Sequence, residues 1–141
     1  MKKCNILIRG LLMISLFMTP AIGEETKTPD PDTLSILWTS GDPDVALKMV
    51  FMYASAAKNN QWFDDVELII WGPSSKLTSE NKAIQLSLQT MMKNGVIVKA
   101  CKACADQYGV TDILKSLGID VKYMGKPLTD ILKSNRKLLT F

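Results

Sequence analysis

From residue 33 to residue 141 the chain alternates short apolar runs with stretches of helical spacing, and few folds accept that pattern. The apolar runs are 33–40 (TLSILWTS), 66–71 (VELIIW), 96–100 (VIVKA, reaching Cys101), 119–124 and 137–141 (KLLTF). Between the first two, segment 45–60 puts Ala46, Met49, Val50, Tyr53 and Ala57 on one helical face. Segment 79–94 carries Ile84, Leu88, Met91 and Met92 as a stripe, with Ser or Thr as its predicted cap and an early acid. A broken helix is predicted over 102–108 and 111–117, and a last one over 127–134. Gly41-Asp42-Pro43-Asp44, Gly72-Pro73, Gly95 and Gly118 punctuate the series. The strand candidates are nearly continuous in apolar character, which burial on both faces requires. The expected fold is α/β: a three-layer, Rossmann-like sandwich whose five-stranded parallel sheet has helices on both faces. The pattern leaves the strand order open.

A chain of 141 residues with 47% apolar content supports one domain with a sizeable core, placed at 33–141. It contains no histidine. That absence excludes a Ser-His-Asp triad, a Cys-His dyad and His-ligated zinc. It also excludes haem attachment at the Cys-x-x-Cys discussed below, since Ala105 stands where a histidine is needed.

Residues 1–23 are expected to be a cleaved secretory signal. Lys2, Lys3 and Arg9 precede an apolar stretch at 11–18, and small residues lead up to Glu24. The stretch is too short to span a bilayer, and Cys4 precedes it, so it lacks the lipoprotein arrangement. Cleavage removes three of the 17 basic residues and leaves 14 against 14 acidic ones. The basicity then belongs to the signal, and neither nucleic acid nor an anionic membrane surface is an expected partner. The expected location is periplasmic or otherwise exported. Residues 24–32 (EETKTPDPD) form a polar lead-in.

In α/β sheets, ligands and reactive groups gather outside the carboxyl ends of the strands. The predicted rim holds Thr39, Ser40 and Gly41, then Gly72, Pro73 and Ser74, then Cys101 with Lys102, then Gly125. Cys101-Lys102-Ala103-Cys104 carries the chemistry. A cysteine where a helix begins gains from unpaired N–H groups, and Lys99 and Lys102 flank it with positive charge. Cys104 lies one turn on, within reach of Cys101. A structural disulfide, a subunit-shared zinc site and a thioredoxin-like fold are the competing accounts. Two cysteines without histidine supply half of a zinc shell, and no metal or cofactor is expected. Trp38, Trp71 and the dispersed methionines are expected in the core, and Asp42 and Asp44 as helix caps. Ser74-Ser75-Lys76 is a weak anion-binding candidate.

Residues 96–110 (VIVKACKACADQYGV) resemble the DsrE/DsrF-like family of sulfur-relay proteins, with Cys101 and Gly109 matching its cysteine and the glycine eight residues on. Trp38-Thr39-Ser40-Gly41-Asp42, Trp71-Gly72-Pro73-Ser74, Tyr123-Met124-Gly125 and the terminal LLTF extend the resemblance over 33–141, to what looks like an exported branch. The resemblance implies that Cys101 carries a persulfide and that Cys104 assists, as a second cysteine found in some branches. It also implies a homo-oligomer, a trimer or hexamer, working with a sulfur donor or acceptor protein. The alternatives are a non-catalytic binding oligomer or a periplasmic thiol-disulfide exchange protein.

Overall fold

The computed structural model describes residues 32–141. The expected signal at 1–23, Cys4 and all of the expected lead-in except Asp32 lie outside the described residues. The strands are β1 (Thr33–Trp38), β2 (Asp65–Ile70), β3 (Ile97–Cys101), β4 (Asp120–Lys122) and β5 (Lys137–Thr140). All pair in parallel, in the order β4-β3-β2-β1-β5. Among the described residues no helix is long and apolar enough to cross a membrane.

The order explains how the two faces are covered. From β1 to β4 the chain steps in one direction, and right-handed crossovers put every intervening helix on one side. The connection from β4 to β5 returns across the whole sheet, so its helix falls on the other side. The side chains agree. Ile36, Trp38, Leu68, Ile70 and Ala100 form the main core with Val50, Ala54, Ile84, Leu88 and Leu114 from the helices. On the opposite face Ile69 and Cys101 pack with Met124 and Ile131, joined by Leu37 and Leu138. That second layer has one helix, α7 (Gly125–Lys133), and Ile131 is its one buried residue.

The helical segments differ from expectation in two places. The first helix begins at α1 (Pro43–Val45), passes through a π-helical stretch at Ala46–Val50 and continues as α2 (Phe51–Asn59). Asp42 caps it, accepting from the Asp44 N–H at 2.7 Å. After β2, the single expected helix is two: α3 (Pro73–Glu80) and α4 (Lys82–Lys93). Pro73 stands in the first turn of α3, where its missing N–H costs nothing. Asn81, in extended backbone, ends α3 and caps α4 by accepting from Ala83 N–H at 3.0 Å and Ile84 N–H at 3.2 Å. The cap is therefore Asn81 and not Ser or Thr. Asn81→Ala should lower stability by about 1 kcal/mol, read from urea unfolding; no change would mean that the α3–α4 corner holds without it.

Candidate functional site

β3 ends at Cys101, α5 (Lys102–Gln107) starts at the next residue and α6 (Thr111–Ser116) follows. Alternation along β3 puts Cys101 on the α7 face with Lys99 and Ile97. Cys101 is 3% exposed and packs with Ile69, Met124 and Ile131. It occupies the cap position of α5, yet its side chain makes no capping bond to the first-turn amides. Cys104 is half-buried against the same cluster, as is Trp71, and both thiols are unbridged. Burial pushes the Cys104 thiol above its ordinary value. Its hydrogen bond and charge interaction with Cys101 push the same way, and the Gly72 backbone amide offsets part of the effect. The two thiols thus meet at the carboxyl edge, the inner one in an apolar pocket and the outer one protonated at neutral pH.

The flanking lysines each face a carboxylate. Lys99 Nζ lies 2.6 Å from the buried Glu67 carboxylate. Lys102 pairs with Asp106 and sits 5.3 Å from the centre of the Tyr123 ring. The hydrogen bond from Lys102 holds Asp106 low, aided by Thr111, and the same bond raises Lys102.

Much of the predicted rim is architecture. Ser74 Oγ donates to the Trp38 carbonyl at 2.6 Å and accepts from the Trp71 N–H at 3.0 Å, locking the ends of β1 and β2 together. Thr39 donates through both its N–H and its hydroxyl to the Phe141 carbonyl, at 2.8 and 2.7 Å, which seals the crevice between β1 and β5. Ser40 Oγ accepts from the Asp42 N–H, and Gly41 lies against Pro73. Gly109, at φ +67°, ends α5: its N–H donates to the Asp106 carbonyl, and that of Val110 to the Ala105 carbonyl. Gly125 opens α7, two residues before the expected start at Pro127. Of the rim residues, Gly72 alone touches the thiols through a polar group, its amide facing Cys104. Among the described residues no three His, Cys, Asp or Glu side chains gather as metal ligands would.

Glu67 was not among the expected site residues. It is 2% exposed inside the apolar run of β2, and it holds Lys99 on one oxygen and Arg136 Nη2 on the other, at 2.5 Å. Ser35 Oγ reaches it at 3.4 Å. Burial raises the carboxyl's pKa, but the hydrogen bonds and charges of Lys99 and Arg136 outweigh that and hold it below the usual value. A charge inside VELII was the available signal, since a buried carboxylate demands partners.

A doubly wound parallel sheet with a thiol pair at its carboxyl edge defines a small Rossmann-like thiol protein. Residues 34–141 match the DsrE/DsrF-like family, and the chain belongs to that family, which is linked to sulfur relay. It is similar to a conserved protein of unknown function, BT1422 of Bacteroides thetaiotaomicron, with 39% identity and a TM-score of 0.76 over 78% of this chain and 95% of that one. It shares its fold with the ychN protein of E. coli, at 20% identity and a TM-score of 0.58 over 78% of this chain and 98% of that one. No curated protein matches.

Proposed function

We propose that the protein is an exported sulfur-relay protein that holds sulfane sulfur as a persulfide on Cys101, with Cys104 controlling its release. The observation that carries this is the thiol pair itself, one sulfur in an apolar pocket and its neighbour held above the ordinary thiol range. Loading is a transfer between thiols: the Cys101 thiolate attacks the outer sulfur of a donor persulfide, R–S–SH. Cys101–S–SH forms and R–S⁻ leaves. For release, the Cys104 thiolate attacks the inner sulfur, closing the Cys101–Cys104 disulfide and expelling HS⁻. A dithiol reductant then reopens the pair. Because Cys104 keeps its proton at neutral pH, release is slow there and the persulfide survives to meet an acceptor. Export is supported by the basic, apolar and small-residue succession of residues 1–23. Self-association is supported by the exposed Leu47, Met52 and Leu86, which share a groove between α2 and α4.

The test is an intact mass after the reduced protein meets polysulfide. A gain of one sulfur, about 32 Da, should appear in the wild type, vanish in Cys101→Ser and persist in Cys104→Ser, which should no longer release sulfide. Sulfide release should accelerate as pH rises through and beyond the ordinary thiol range of about 8.5, because the attacking Cys104 must first lose its proton. Loading that survives in Cys101→Ser would sink the assignment. Loss of two hydrogens in the wild type together with no sulfur retained on Cys104→Ser would point to disulfide exchange instead.

A further inference from the structure

A second site lies at the other end of the sheet. A cavity of about 670 Å³ opens where the strands begin, on the α7 face, and Glu67, Lys99, Arg136 and Ile97 line it. That volume falls within the range of small-molecule pockets, roughly 300–1,000 Å³.

Its lining carries three carboxylates, Asp32, Asp65 and Glu67, and three cations, Lys99, Arg136 and Lys137, unevenly placed. Asp32 pairs with Lys137 at 2.9 Å, and Asp65 lies 3.8 Å from Lys58. Glu67 carries one negative charge and meets two cations, Lys99 and Arg136. Around Glu67 itself the cations outnumber the carboxylate two to one. Lys99 and Arg136 are 24% and 35% exposed, so they are held by Glu67 from beneath yet open above. An ammonium has three donors and a guanidinium five. Among the described residues, neither side chain has another acceptor besides Glu67. Glu67, anchored in the sheet, thus fixes a guanidinium and an ammonium side by side with donors unmet. Beside them Ile97, the one large apolar residue of the lining, is 42% exposed at the start of β3, ahead of the first pairing with β4 at Lys99.

We propose that this cavity binds a small carboxylate with a short apolar body, its anionic group on Arg136 and Lys99 and its apolar part against Ile97. The planar fork of Arg136 matches a carboxylate, and the unmet donors of Arg136 and Lys99 are what the ligand satisfies. The cavity opens at the strand starts and the thiols lie at the strand ends, with Lys99 two residues before Cys101 on the same face of β3.

The experiment titrates the protein with hexanoate, acetate and sulfate at constant ionic strength, following amide and Ile97 methyl NMR signals. Hexanoate should saturate, bind more tightly than acetate and shift Ile97. Arg136→Gln should weaken it by about tenfold or more, the usual effect of losing a charged hydrogen bond. Arg136→Lys, which keeps the charge on Glu67 and so the fold, should weaken it by less. Lys126→Gln, on the outer surface of α7, and Cys101→Ser should bind as the wild type does; this separates failure here from failure of the sulfur-relay reading. Absence of saturation, or equal affinity in Arg136→Gln, would overturn the proposal. Sulfate binding as tightly as hexanoate would overturn the carboxylate assignment.

Discussion

Glu67→Ala is expected to destabilise the fold by about 3 kcal/mol at neutral pH, among the largest effects of any polar substitution in this chain. The carboxylate is 2% exposed and takes Lys99 and Arg136 together. Removing it leaves two like charges facing each other over the sheet with no counter-charge. Breaking a buried pair costs about 3–5 kcal/mol, and the low end applies because both cations reach solvent. The pH dependence has a definite sign. Despite burial, the two cations hold the folded Glu67 carboxyl below its ordinary value, while the unfolded one titrates near 4.3. Its contribution is therefore complete above that unfolded value and disappears as pH falls through the folded one. Urea unfolding at neutral pH and at a series of acid values should show the wild type losing stability in that window, and Glu67→Ala losing less. A difference below about 1 kcal/mol at neutral pH would mean that the cations relax into water and the cluster is ornamental to the fold.

The strand-helix frame was most legible at β1 and β2, short apolar runs buried on both faces and followed by Gly, whereas the edge strands β4 and β5 are largely exposed. Cys101 at the end of β3 followed from the same frame. α3 was not legible, because it buries Ser74, Ser75 and Thr78 while Leu77 stays only partly buried. Small polar residues at core-facing positions leave no hydrophobic period to detect. The roles of the rim residues were hidden for a different reason. Ser74 and Thr39 bond to backbone atoms 36 and 102 residues away, and only the assembled sheet brings those atoms within reach. The Lys99 charge looked available to Cys101 until its partner Glu67 appeared on the neighbouring strand.

The strand order also explains why the two chemical features share a face. Three crossovers load one side of the sheet with helices, leaving the other to a single return helix. Beneath that thin layer the sheet tolerates a thiol at one end and a charged cluster at the other. Both would be squeezed out under the closely packed α2–α4 side, where Ile36, Leu68 and Ala100 are completely buried.

The thinness of that layer leads to the second large effect. Ile131 is the one buried residue of α7, and it packs over Cys101 with Ile69 and Met124. Reagents reach a thiol that is 3% exposed only when the cover opens. Ile131→Ala removes the main apolar anchor holding α7 to the sheet. Truncations of this kind cost about 2–5 kcal/mol, and the local opening of α7 should absorb much of the loss. A change of about 1.4–2 kcal/mol in that opening raises the open population roughly 10- to 30-fold. The alkylation rate of Cys101 should rise by about the same factor, read by peptide mass after short exposures to iodoacetamide, while that of Cys104, already half-exposed, should change little. Leu132→Ala is the matched control, since Leu132 is 65% exposed on the same helix and its removal frees no anchor. If Cys101 reacts no faster in Ile131→Ala, α7 is not its gate, and access must come instead past Cys104 and Trp71 from the carboxyl edge.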